Sequence, residues 1–232
     1  MGLAYWISVN SDSDQDARER LLKAAGPIFA SRGFAGATVR EICSKAKVNI
    51  ASVGYYFRDK MGLYREVIES IHGGKSRRFP IPDGLTHTDP EDRLLAFVLT
   101  LLSRMLEEGE EGWQVRLLLR ELEQPTEAID TIVNEHFAPV FDQLCSTLAE
   151  LIAGDIDSQD LKHFALSVIG QCLHYRVSGQ AIGRIMGTGN TMPIEQIAIH
   201  ITSVTLAAAS SNFHHVGVRL RESIQSESTS YG

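Results

Sequence analysis

The chain has 232 residues, 44% of them hydrophobic and 22% charged, with a formal net charge of -7. That length suits one large domain or a small one beside a larger one, and the composition excludes disordered and fibrous classes. No apolar run approaches the roughly 18 residues of a membrane span. MGLAYWISVNSDSD lacks the basic start of a secretory leader. Cys43, Cys145 and Cys172, odd in number and widely spaced, fit free thiols, so a cytoplasmic protein is expected.

Nearly every patterned segment reads as helix, and no sustained alternation suggests a strand. In the first helix Leu21, Leu22, Ala25, Ile28 and Phe29 share a face, and Arg32-Gly33 supplies a stop. Pro27 inside this pattern is expected to kink it or to disturb the hydrogen bond to Lys23. Thr38, with Glu41 three residues on, reads as a capping box opening a second helix with Val39, Ile42, Cys43 and Ala46 inward. After a tight turn at Lys47-Val48, Asn49 can cap a third short helix, with Val53 and Phe57 inward and Ile50 able to face either way. Two short helices braced by an earlier one make a helix-turn-helix. Asp59-Lys60 begins a fourth helix through Leu63, Val67, Ile68 and Ile71.

The stretch GGKSRRFPIPDGLTHTDPED, rich in proline and glycine, reads as a connection over 73–92. Beyond it the pattern predicts helices over 94–105, 113–122, 126–153 (interrupted at Pro139), 159–185 and 193 to about 220. The expected organisation is an N-terminal extension 1–14, a helix-turn-helix unit with its connecting helix 15–72, the loop 73–92, a helical bundle 93–222 and a flexible tail 223–232. The fold class is all-α. The segments Phe164 to Gln180 and Ile194 to Ser210 carry one charge each, Arg176 and Glu195. Helices so apolar must be covered, and a homodimer interface, with Ala165, Gly170, Ala198 and Ala207 to Ala209 allowing close approach, covers them best.

Charge divides unevenly along the chain. Residues 15–72 sum to +4, residues 1–14 to -2 and the remainder to -9. A basic front on an acidic body suggests localised binding to a polyanion. A helix-turn-helix lays the start of its second helix in the DNA major groove. Here that helix is Asn49 to Tyr56, and its groove-facing candidates are Ile50, Ala51, Ser52, Gly54 and Tyr55. Tyr56 and Lys60 are placed for phosphate, and Arg40 for a guanine edge or a neighbouring phosphate.

Residues 17–64 resemble the DNA-binding domain of the TetR family of transcriptional regulators. The likeness is carried by IFASRGFAGATVREICSKAKVNIASVGYYFRDKMGLY, above all the RGF turn, T-V-R-E-I and Y-Y-F-x-D-K-x-x-L-Y. The resemblance implies an all-helical homodimer with a three-helix DNA-binding head and a larger effector-binding body. It places base contacts at Arg40, Ile50, Ala51, Ser52 and Gly54, and phosphate contacts at Tyr56 and Lys60. Two departures stand out. Lys47 occupies the turn where the family usually has glycine, so a positive φ is expected on a residue with a side chain. Gly54 stands where many members carry a base-touching side chain. Further on, LLLRELEQPTEAIDTIVNEHFAPVFDQL, Leu117 to Leu144, is similar to the C-terminal domain of CecR-like members, through R-E-x-x-x-P-T and a later P-x-x-x-x-L. That similarity implies control of a nearby efflux or transport operon.

Polar residues within the apolar bundle mark candidate effector contacts: Arg116, Arg120, His136, Phe137, Gln171, His174 and Tyr175. The competing reading makes Arg116 and Arg120 structural partners of Glu121, Glu123 or Glu135. Trp113, Phe97 and Met105 read as core before cavity lining. Enzyme signatures are absent: no G-x-S-x-G, no H-E-x-x-H and no Cys-x-x-C. His214-His215 is too small a set for a metal, and no metal or cofactor is expected. GRIMGTGN after a helix reads as a stop and loop. The expected function is a dimeric repressor that binds a palindromic operator and is released by a small molecule. The alternatives are a helical small-molecule binding protein or enzyme with a non-functional head, and a constitutive DNA-binding protein without effector.

Overall fold

In the computed structural model the described residues are 3–78, 89–106, 112–152, 154–187 and 193–211, with backbone alone for 3–15, 72–78, 135 and 136. Helix α1 runs Leu3–Gly36, so it begins inside the expected N-terminal extension. Its torsions stay helical through Pro27 and break at Gly33 (φ 71°, ψ 172°). The helical torsions thus break at the expected Arg32-Gly33 stop, where glycine takes positive φ freely, and not at Pro27.

Helices α2 (Val39–Ala46), α3 (Ala51–Phe57) and α4 (Lys60–Arg78) follow. The Thr38 hydroxyl accepts from the Glu41 N–H (3.2 Å), while the Glu41 carboxylate pairs with Arg32 (3.1 Å). Helix α2 ends in a Schellman turn, with the Lys47 N–H on the Ser44 carbonyl and the Val48 N–H on that of Cys43. Lys47 holds the left-handed conformation (φ 55°, ψ 46°), as the sequence led us to expect. Helix α4 passes through Gly73 and Gly74 to Arg78, so the first part of the expected 73–92 connection is helix.

Helices α5 (Pro90–Leu106), α6 (Gly112–Glu123) and α7 (Ile129–Ile132) lead into a π-helical turn, Val133–Phe137. The wider turn lies just before Pro139, whose missing N–H leaves a carbonyl of the preceding turn without its α-helical partner. Helices α8 (Ala138–Leu151), α9 (Ser158–Met186) and α10 (Ile194–Ser210) complete the described chain. Gly187 caps α9 in the left-handed conformation, fulfilling the expected stop. The expected extension of the last helix to about 220 lies outside the described residues beyond Ser211, as do the tail and His214-His215. No strand occurs among the described residues, and no described helix is long and apolar enough to cross a membrane.

Contacts divide the chain into two units that do not follow chain order. The first joins Met1–Arg78 to Glu108–Phe137, and the second joins Phe79–Glu107 to Ala138–Gly232. In the first, α1 packs on α2, α4 and α6 around Leu21, Phe29, Ile42, Leu63, Tyr64, Ile68 and Leu117, each 2% exposed or less. In the second, α5 packs on α8, α9 and α10 around Leu94, Leu102, Leu144, Leu148, Ala165 and Ile201, all fully buried. Burial of aliphatic side chains at about 25 cal/mol per Å² drives each core.

Candidate nucleic-acid interface

Helix α3 is fixed from behind. Val53 and Phe57 are 2% and 3% exposed, and the Arg18 guanidinium lies 5.5 Å above the Phe57 ring. Its first turn is closed by Asn49, whose side-chain oxygen accepts from the Ala51 N–H (2.9 Å) and whose carbonyl accepts from Ser52 (3.0 Å). Arg20, reaching from α1, donates to the carbonyls of Ala46 and Lys47 (3.4 and 3.5 Å), so the turn before α3 is held as well.

The opposite face is open. Ile50 is 56% and Tyr55 76% exposed, and Asn49, Ala51 and Gly54 are exposed beside them. Ile50, able to face either way by its position, turns outward. Ser52 is half-buried. No atom outside the glycine's own surroundings lies within 4 Å of where a Gly54 Cβ would stand, so its lack of a side chain serves no packing inside the protein. Tyr56 is half-buried, its ring edge-on to Tyr55 (4.8 Å) and packed against the core. Arg40 is exposed and has no ion-pair partner among the described residues.

Lys60 has a second occupation that the sequence did not reveal. Its ammonium donates to the carbonyls of Phe34 (2.9 Å) and Ala37 (3.1 Å) and lies 4.4 Å from the centre of the Phe34 ring. Two of its three N–H groups thus hold the α1–α2 corner, and one is left for an anion. The neighbouring Asp59 caps α4, accepting from Gly62 (2.8 Å). Gly62 permits that corner: a Cβ there would stand 1.9 Å from the Phe57 carbonyl oxygen.

Behind this face lies a buried polar junction. Glu121, 2% exposed on α6, accepts from the Tyr64 hydroxyl of α4 (2.6 Å), from the Thr126 N–H (2.7 Å) and from the Thr126 hydroxyl (2.9 Å). Burial, and then the bond to Glu121, push the Tyr64 phenol far above its ordinary pKa. The Trp113 ring lies over Gly26 so closely that a Cβ there would meet it at 2.2 Å, and Arg120 covers Gly33 in the same way at 2.5 Å.

The candidate effector residues fall into both units. Arg116, Arg120 and Phe137 belong to the first, with Arg116 exposed and Phe137 half-buried against the core. The His136 side chain lies outside the described residues. Gln171, His174 and Tyr175 belong to the second. There Gln171 donates to the Ser167 carbonyl (3.3 Å), His174 is exposed beside Tyr175 (6.4 Å), and Tyr175 packs partly on the core. Arg116 and Arg120 make no ion pair with Glu121 or Glu123 among the described residues; Glu121 is occupied by Tyr64 and Thr126 instead. Trp113 and Phe97 serve as packing residues in different units. Met105 packs at the edge of the second core. Groups of three or more metal-ligating side chains do not occur among the described residues.

Residues 21–67 match the model of bacterial regulatory proteins of the TetR family, and residues 90–209 match the C-terminal domain of the HTH-type transcriptional dual regulator CecR. The chain belongs to the TetR family, with a CecR-type C-terminal domain. Members of this family are regulators rather than enzymes. The HTH-type transcriptional dual regulator CecR of Shigella flexneri is 25% identical over 191 residues, 76% of this chain and 82% of that protein. A probable HTH-type transcriptional regulator of Bacillus subtilis, YttP, is 30% identical over 87 residues, 37% of this chain and 42% of its own length. The chain thus spans under half the length of this and the next Bacillus and Pseudomonas relatives it matches. In fold it is similar to HlyIIR, a hemolysin II transcriptional regulator (TM-score 0.59, 22% identity, 82% of this chain and 98% of that one). A TetR-like regulator from Rhodococcus sp. RHA1 is similar too (TM-score 0.57, 17% identity, 82% and 93%).

The buried junction gives the R-E-x-x-x-P-T motif a physical meaning in this chain. Its glutamate is Glu121 and its threonine is Thr126, and the Tyr64 that completes the junction ends the Y-Y-F-x-D-K-x-x-L-Y motif. The two motifs, far apart in the sequence, meet at this junction.

Proposed function

We propose that this TetR-family chain is a homodimeric, DNA-binding transcriptional regulator, acting as a repressor that a small molecule releases. The single observation that carries the DNA-binding part is the exposed face of α3, open at Asn49, Ile50, Ala51, Gly54 and Tyr55 while Val53 and Phe57 anchor its back. An apolar and small-residue face of this kind reads duplex DNA through thymine methyls and groove shape, with Ser52 and Tyr55 adding hydrogen bonds. Arg40 supplies a guanine or phosphate contact. Tyr56 and the remaining N–H of Lys60 take phosphate oxygens, which fix register without reading sequence.

Dimerisation rests on the second unit. Leu166, Val177, Ile199 and Val204 are exposed on α9 and α10, at 53%, 68%, 57% and 46%, with Gly170 and Ala207 exposed among them. A second copy covers such a surface. Ala165, Ala198 and Ala209, expected at that interface, are buried within the unit's own core and serve packing there. Paired heads then meet a palindromic operator with half-sites about one helical turn, ~34–36 Å, apart.

The switch is proposed to run through α6. This helix lies within the residues matched by the CecR-type domain, yet it packs on α1 and is bonded to α4 through Glu121 and Tyr64. An effector that moves α6 therefore pulls on the helix that follows α3. Control of a transport or efflux operon is the regulatory setting we favour, from the CecR-type similarity. Selecting bound fragments from random duplexes with the purified chain tests the reading: a palindrome should be enriched, and recovery of unrelated sequences would remove it.

A further inference from the structure

Among the described residues two non-glycine positions have positive φ, Lys47 (φ 55°) and Arg58 (φ 70°). Both are basic and both are exposed; Lys47 ends α2 in the turn that leads to α3, and Arg58 directly follows α3. Lys47 lies in the left-handed region, where glycine sits without penalty and a Cβ crowds the backbone. Arg58, at ψ -50°, lies near the strained γ-turn conformation, which is rarer still. Neither conformation is idle. At Lys47 the backbone closes the Schellman turn and Arg20 grips its carbonyl, so the turn needs that torsion whatever residue occupies it. At Arg58 the chain reverses between the Phe57 carbonyl, tight against Gly62, and the Asp59 cap. Glycine would satisfy both corners with less strain, yet each carries a long cation.

We infer that Lys47 and Arg58 are phosphate clamps that bracket the recognition helix. A recognition helix lies in the groove with its N-terminal residues at the base edges, so cations in the turns at its two ends stand beside the phosphate backbone that borders the groove. The clamps also answer the small, weakly hydrogen-bonding face of α3, since affinity that Ala51 and Gly54 cannot supply comes from charge on either side. This extends the DNA-binding reading to two residues outside the set already assigned, and it rests on that reading.

The test compares the parent chain with Lys47→Gly, Arg58→Gly and the neutral, left-handed-tolerant Lys47→Asn, by fluorescence anisotropy on duplex DNA across a salt series. Each variant should keep or raise its melting temperature while binding more weakly. The slope of log affinity against log salt should become shallower by about 0.9 for each phosphate contact removed. Because phosphates carry no sequence information, the loss should be equal on operator and unrelated duplexes. As a comparison, Lys23→Ala, which removes an exposed cation of α1 paired with Glu19, should leave the slope unchanged. Variants that match the parent's slope, or that lose affinity only by unfolding, overturn the clamps and leave the DNA-binding reading intact. A parent chain that binds no duplex even at low salt overturns both.

Discussion

The Tyr64 hydroxyl donates to the Glu121 carboxylate at 2.6 Å across 57 residues of sequence, inside a core where both are at most 2% exposed. Hydrogen bonds to a charged group contribute about 1.5–3 kcal/mol, and a buried carboxylate that loses one is left partly unsatisfied. Tyr64→Phe should therefore destabilise the protein by about that amount, with Glu121 still held by Thr126. Glu121→Ala should cost more, because it strands the Tyr64 and Thr126 donors together. Chemical denaturation of both variants checks the order, and equal stability of Tyr64→Phe and the parent would show that the bond contributes nothing.

Gly62 gives a sharper structural prediction. A methyl group there collides with the Phe57 carbonyl, which is backbone and cannot rotate away. Overpacking typically costs about 1–3 kcal/mol. Gly62→Ala should lose stability in that range and shift the start of α4. Gly54→Ala, with open space around the added methyl, should keep the fold and, through better helix propensity, gain up to about 1 kcal/mol. If Gly54 is in the groove, the same substitution changes DNA affinity. Thermal melts and anisotropy together separate the two glycines.

Much of this organisation was legible in the sequence, and what was missed has a common cause. The caps at Thr38 and Asn49 and the stop at Gly187 follow from local chemistry, which a short window of sequence contains, while the positive φ at Lys47 follows from the family resemblance, which puts glycine at that turn. The burial of Glu121 could not be read that way. Beside Arg116 and Arg120 it read as one half of a structural ion pair, and only the approach of α4 shows its partner. Lys60 is the same case, since its carbonyl acceptors Phe34 and Ala37 belong to another corner. The grouping of α6 with the head was hidden because spatial units here cross the chain order.

Lys60→Ala is expected to act twice. Loss of the ammonium frees the Phe34 and Ala37 carbonyls, so the melting temperature should fall, and binding to all duplexes should weaken alike. Arg40→Ala should leave stability unchanged and relax sequence preference. At a base edge such a contact is worth about 1–3 kcal/mol of discrimination. Competition binding with operator and random duplexes measures it, and equal losses on both would move Arg40 to the phosphates.

The thiols make a pH prediction. Burial pushes the Cys172 thiol up to about 12 and also raises those of Cys43 and Cys145. A group whose folded pKa is raised stabilises the protein fully below its unfolded pKa and loses that contribution as pH climbs. For Cys172 the window runs from about 9 to about 12. At pH 8 Cys172 should react with a thiol reagent only as fast as the protein opens. Rapid labelling of native Cys172 would contradict its burial.

The most direct measurement is the affinity of the purified chain for the duplex enriched by fragment selection, set against a scrambled duplex of equal length at about 0.15 M salt. The selected duplex should bind tighter by at least ~10³-fold, the low end of specific recognition. Tyr55→Ala, on the exposed face of α3, should erode that ratio without unfolding the protein. Equal affinity for the two duplexes would contradict a reading face on α3.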